Sequence, residues 1–96
     1  MTAYLIARIT VTDPEQYKEY TKLTPAAIEA YGGKFIVRGG EVLTLEGETE
    51  NRRVVVLEFP SIEQAQAFYQ SDAYQAAIKV RENAATAQFI VVPGVS

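Results

Sequence analysis

Gly32-Gly33-Lys34-Phe35-Ile36-Val37-Arg38-Gly39-Gly40 is a short apolar strand held between two glycine pairs, with one arginine at its far end. Glycine accepts a left-handed backbone and a close approach that a Cβ forbids. The first pair therefore reads as the stop of a preceding helix, and the second as a bulge in one long edge strand that continues from Glu41 to Glu46. Beyond the polar turn Gly47-Glu48-Thr49-Glu50-Asn51, the run Arg53-Val54-Val55-Val56-Leu57-Glu58-Phe59 returns as the hairpin partner.

Working outward, Tyr4 to Val11 alternates, with Leu5, Ala7, Ile9 and Val11 on one face and Tyr4, Ile6, Arg8 and Thr10 on the other. Asp13-Pro14-Glu15-Gln16 carries a capping-box helix start. Tyr17, Tyr20, Thr24, Ala27, Ile28 and Tyr31 follow at helical spacing, with Pro25 expected to kink the helix near Thr21 to Thr24. Ser61 and Gln64 open a second helix, whose inward residues are Ile62, Ala65, Phe68 and Tyr69. Ser71-Asp72 breaks it, Asp72 and Gln75 cap a restart, and Tyr74, Ala77, Ile78 and the stem of Arg81 turn inward. Asn83 to Thr86 is the exit, and Gln88 to Val92 is the last strand. The order β-α-β-β-α-β defines an α+β, ferredoxin-like split βαβ over a single domain, residues 1–96. Its sheet is antiparallel, with the helices on one face.

Composition narrows the function. The 96 residues are 48% hydrophobic and carry a net charge of −3. An acidic chain lacks the basic face that nucleic acid requires. No window approaches a membrane span and no basic leader precedes the first strand, so the expected location is the cytoplasm. With neither cysteine nor histidine in the sequence, thiolate chemistry and the usual ligands for zinc, copper and haem iron are missing. The expectation is a protein without metal or cofactor.

Val54-Val55-Val56-Leu57 and Phe89-Ile90-Val91-Val92 are unbroken apolar runs. Strands covered by helices on one side and water on the other should alternate instead. No element is left to cover the second face. A second copy, its sheet packed face to face on this one, is the expected partner.

The spacing of Tyr31-Gly32-Gly33, Arg38-Gly39-Gly40 and Glu58-Phe59-Pro60-Ser61 resembles the domain of unknown function 1330 family of the dimeric α/β-barrel superfamily. Ala65, Phe68-Tyr69, Ser71, Tyr74-Gln75 and Arg81 extend the resemblance over nearly the whole chain. It implies a ferredoxin-like fold that dimerises through its sheets, and it brings no established activity. The wider superfamily includes cofactor-independent monooxygenases, lactone isomerases and haem-dependent enzymes; the haem branch does not suit a chain without histidine.

Strict alternation puts Glu58 with Val54 and Val56, away from the helices, and Arg38 with Lys34 and Ile36. The hairpin then brings Arg38 and Glu58 together on the side facing the second copy. Tyr4 and Arg8 point the same way, and Gly39 and Gly40 leave room for a ligand beside them. An arginine can fork a carboxylate or enolate oxygen, and a partly desolvated glutamate can move a proton. Arg38 and Glu58 are accordingly the candidate catalytic pair for metal-free, isomerase- or monooxygenase-like proton transfer on a small anionic or carbonyl-bearing molecule. The same pair also reads as a structural ion pair lining the dimer. Ser71 and Tyr74 are candidate ligand contacts, against the plainer roles of helix cap and core residue. The tyrosine stripe of the first helix has the same two readings, cage or core. A non-catalytic binding module and a structural dimerisation unit are the alternatives to an enzyme.

Overall fold

The alternating residues of the first strand decide which side of the sheet is buried. In the computed structural model, which describes residues 2–95, Ala3, Leu5, Ala7 and Ile9 of β1 (Ala3–Val11) are all buried. α1 (Pro14–Ala30), β2 (Lys34–Arg38), β3 (Arg53–Phe59), α2 (Ile62–Gln70), α3 (Asp72–Arg81) and β4 (Ala85–Pro93) complete the chain. The antiparallel sheet has the order β2-β3-β1-β4, as a split βαβ requires. Val55, Leu57 and Phe59 of β3 share the buried side with the helices, as alternation predicts.

Asp13 caps α1 by accepting from the backbone N–H of Gln16. The helix continues through Pro25, whose missing N–H leaves the Thr21 carbonyl without its usual donor. The Thr24 hydroxyl donates to that carbonyl instead, at 3.4 Å. At the other end Gly32 takes a positive φ of 77°, and the N–H groups of Gly32 and Gly33 close on Glu29 and Ile28. Ser71 both ends α2 and caps α3, donating to the Phe68 carbonyl and accepting from the Tyr74 N–H. Asp72 is the first residue of α3 and not its cap. The final strand begins at Ala85, earlier than its apolar run suggests, because the Ala84 carbonyl is held by the N–H groups of Thr12 and Asp13.

Two expectations around the second glycine pair are corrected. β2 ends at Arg38, and residues 41–46 form no ladder, so Gly39-Gly40 terminates the strand and does not bulge it. The bulge lies earlier, at Ile36. Phe35 pairs with Leu57, Val37 with Val56 and Arg38 with Val55, leaving Ile36 as the extra residue. A bulge reverses the parity of every later side chain. Arg38 therefore joins Phe35 and Val55 on the helix side, while Lys34 and Val37 lie on the open side.

The rings of Phe59, Phe68 and Tyr74 form the centre of the core, with Phe59–Phe68 and Phe68–Tyr74 centroids 5.2 and 4.5 Å apart. Gly33 is where the helix turn passes this cluster: a Cβ there would stand 2.5 Å from Phe59 Cε1 and 2.8 Å from Ile28 Cγ2. Gly33→Ala should lower stability by about 1–3 kcal/mol through overpacking. Gly40→Ala, where a Cβ meets nothing within 4 Å, should stay within about 0.5 kcal/mol. Urea unfolding of the two variants checks the contrast.

Candidate functional site

α1 packs mainly on α3 and stands off the sheet, which leaves a cavity of about 330 Å³ between them. Leu5, Ala7, Ile9, Val55, Leu57 and Phe89 form its floor, and Tyr17, Tyr20, Thr24 and Ile28 of α1 form its roof. Among the described residues the charged ones around it are Lys18, Arg38 and Arg53, with no aspartate or glutamate.

The two arginines reach the same corner by different routes. Arg38 arrives through the Ile36 bulge, and its guanidinium lies over the Phe35 ring, 4.1 Å from the centroid. Arg53 pairs with Ile9 and so points to the helix side with Val55. Its guanidinium fills the space that a Cβ on Gly39 would need, and Gly39 adopts a φ of +74° that favours glycine there. Arg53 Nε is buried without a hydrogen-bond partner among the described residues. A buried, unsatisfied N–H beside an apolar cavity is an unfilled demand for an acceptor.

At the inner end, the Tyr20 and Tyr74 hydroxyls share a hydrogen bond of 2.6 Å. Burial pushes both phenols above the ordinary tyrosine value. For Tyr74 the push is large and Tyr20 adds to it, while the Arg81 charge draws both back. Tyr17 is raised as well, by burial first and then by Tyr20, against the nearby Arg53. These phenols stay neutral across the physiological range, and with one proton used in the bond they share, the Tyr20–Tyr74 pair keeps one hydroxyl proton free to donate.

The residues named from sequence divide between the two sides of the sheet. Arg38, Tyr74 and, through its accommodation of Arg53, Gly39 belong to the cavity. Gly40 meets nothing, and Ser71 acts as a cap that positions Tyr74 without lining the cavity. Glu58 is on the open side, paired with Lys34 at 3.0 Å. The expected Arg38–Glu58 pair does not form, because the bulge separates them across the sheet. Tyr4 and Arg8 also face the open side, opposite Glu58 and Val54. Arg8 donates to Gln88 at 3.2 Å and lies 4.0 Å from Glu50. The Arg52 guanidinium grips Glu50 through both carboxylate oxygens and holds its carboxyl below the usual range. Arg53 and Lys18 are cavity residues that the sequence does not single out, whereas Tyr17 and Tyr20 belong to the stripe with the two readings of cage and core, and they both are buried and line the cavity. The parity of Arg53 with Val55, Leu57 and Phe59 is the signal that places it on the helix side.

The open side carries an apolar row across all four strands, Val37–Val56–Ile6–Ile90. Ile36, Val37, Ile90 and Val92 are each more than a third exposed, and Leu43 and Leu45 of the following loop are 79% and 88% exposed. No helix among the described residues is long and apolar enough to cross a membrane.

A split βαβ sheet with helices on one side, a cationic cavity beneath them and an apolar open face defines a ferredoxin-like α+β protein. The chain belongs to the family described as Domain of unknown function (DUF1330), whose family model matches residues 2–95. Solved structures agree on the fold. The RPA0582 protein of unknown function from Rhodopseudomonas palustris is 21% identical, with a TM-score of 0.79 over 99% of this chain and 83% of that one. A dimeric ferredoxin-like protein of unknown function from Jannaschia sp. CCS1 is 12% identical, with a TM-score of 0.74 over 98% of this chain and 100% of that one. SnoaB, a cofactor-independent oxygenase from Streptomyces nogalater, is 14% identical, with a TM-score of 0.70 over 99% of this chain and 94% of that one. No curated protein matches the chain.

The raised phenols set a sign for the alkaline response. Below pH 10, the ordinary tyrosine value, folded and unfolded chains both keep these protons and the contribution to stability is whole. Above it the unfolded chain releases them first, so stability falls as pH rises. Absorbance titration of the native protein should show fewer than the six phenolates the sequence offers, with the remainder released as unfolding sets in. Ionisation of all six near pH 10 in the native state would contradict the buried pair.

Proposed function

We propose that each helix-side cavity binds a small organic anion with an apolar, ring-sized body, in a protein that works as a homodimer. The observation that carries this reading is the lining: three cations and no carboxylate around an apolar cavity, with Arg53 Nε unpartnered. Arg53 and Arg38 take the anion at the mouth, where a guanidinium can bind a carboxylate through two N–H groups. The free hydroxyl proton of the Tyr20–Tyr74 pair meets a carbonyl oxygen at the inner end. A volume of about 330 Å³ lies within the range of small-ligand pockets, roughly 300–1,000 Å³.

The tyrosine pair favours a catalytic version of this reading. Neutral donors aimed at a carbonyl stabilise the charge that develops as its enolate forms. This fits metal-free keto–enol isomerisation on a carbonyl compound that also carries an anion, or addition of dioxygen to the enolate so formed. The α-proton passes to water at the cavity mouth, because the described lining residues include no carboxylate or imidazole to take it. The likeness of fold to a cofactor-independent oxygenase agrees with this chemistry without assigning it. Glu58 takes no part, being on the far side of the sheet. In the non-catalytic alternative the same contacts hold a ligand without turnover.

Phenylpyruvate, an anionic ketone with exchangeable α-protons, tests both layers. Calorimetry should show binding that weakens at least about tenfold in Arg53→Gln and in Arg38→Gln, the loss expected for a charge-assisted contact of roughly 1.5–3 kcal/mol. Unchanged binding in both variants would overturn the site. In D₂O, α-proton exchange faster than the uncatalysed rate, slowed in Tyr74→Phe, marks the catalytic version; binding without exchange marks the binding module.

The dimer follows from the apolar row on the open face and its exposed neighbours, and from the dimeric state named for a protein of the same fold. Sheet-to-sheet packing of two copies should bury on the order of 2,000 Å² or more in total. Light scattering after size exclusion at micromolar concentration should give twice the 10.6 kDa chain mass, and a well-folded monomer would contradict it.

A further inference from the structure

Arg81, at the end of α3, is only 8% exposed, and its Nε has no hydrogen-bond partner among the described residues. No carboxylate among them comes within ion-pair distance of it. The Tyr20 and Phe89 rings flank its guanidinium, each centroid 5.3 Å from Cζ. Stacking on two rings offsets part of the cost of burying the charge. It does nothing for N–H groups that lie in the guanidinium plane.

Arg81 does not line the cavity beneath α1. It lines a second one, of about 440 Å³, between α2 and β4. Ile62, Ala65 and Tyr69 form one wall and Phe89 and Val91 the other, and Arg81 is the only charged residue around it among the described residues. Ile62 and Tyr69 belong to the inward stripe of their helix, yet they are 42% and 37% exposed, because no side chain fills the groove below them. An apolar groove thus borders a buried guanidinium that has the Tyr20 and Tyr74 hydroxyls close by but, among the described residues, no carboxylate to balance its charge.

We propose that this groove is a second binding site, for a small amphipathic carboxylate such as a medium-chain fatty acid. The carboxylate pairs with Arg81, and the tail lies against Ile62, Tyr69 and Val91. A monoanion matches the single guanidinium. A dianionic phosphate would bring one charge into an apolar groove with nothing to balance it. The site does not depend on the function proposed for the first cavity, with which it shares Leu5 and Phe89 but not Arg81.

The test is an NMR titration of the full-length protein with octanoate, using 1-octanol as the uncharged match. Octanoate should shift the methyl resonances of Ile62, Ala65 and Val91 in a saturable way, and octanol should bind at least tenfold more weakly. Arg81→Met should reduce octanoate to the level of octanol. Arg81 is buried and this variant can fail to fold, so Ala87→Trp provides an independent arm. It fills the groove from β4 with Arg81 intact, and should abolish the octanoate shifts. Arg53→Gln should leave them unchanged. Equal binding of octanoate and octanol, shifts centred on Val55 and Ile9 of the first cavity, or shifts that survive Ala87→Trp would each overturn the proposal.

Discussion

The parity of β2 is the constraint on which the site depends. One extra residue, Ile36, separates Phe35 from Val37 in the pairing with β3. Side chains beyond it change sides. Lys34 stays on the open face and pairs with Glu58, whereas Arg38 is delivered to the helix side beside Arg53. Without that shift the cavity would lose one of its two guanidinium groups, and the open face would carry an extra cation beside its apolar row. Gly39 completes the arrangement by ending the strand and making room for Arg53.

The two faces of the sheet consequently have opposite chemistry. On the open face the charges have local partners: Lys34 pairs with Glu58, while Arg52 and Arg8 share the one carboxylate of Glu50 and Arg8 also donates to the Gln88 amide. Partnered in this way, these charges cost less to cover with a second copy than isolated ones would. On the helix face the opposite holds. Arg53 and Arg81 each leave a buried Nε without a partner, and each borders a cavity. Buried polar groups in folded proteins are nearly always paired. These two guanidinium nitrogens, each beside a cavity, are the observations on which the two proposed binding sites rest.

Most of the fold could be read from residue types alone. The alternation of Leu5, Ala7 and Ile9, the capping pattern at Asp13 and Ser61, and the glycine stop at Gly32 each have a local physical cause that needs no tertiary partner. The site was less legible, because it turns on a bulge that has no glycine signature. Lys34-Phe35-Ile36-Val37-Arg38 alternates equally well with or without an extra residue, and only pairing with β3 settles the matter. That single ambiguity joined Arg38 to Glu58 in the sequence reading, when the structure joins it to Arg53. Arg53 itself was accessible, since its parity with Val55 and Leu57 is regular. Tyr17 and Tyr20 follow the spacing of ordinary core residues. Their second role, as cavity lining, emerges only because α1 stands off the sheet. For Ser71, the capping role explains its position fully.

The central claim is that the guanidinium of Arg38 faces the cavity and not Glu58. Side-chain nuclear Overhauser effects measured on the native protein in solution test it most directly. Cross-peaks are expected from the Arg38 δ-protons to the Phe35 ring, which lies 4.1 Å from the guanidinium carbon, and to the methyl groups of Val55. Cross-peaks from those protons to the Glu58 γ-protons or to the methyl groups of Val54 would place Arg38 on the open face and contradict it.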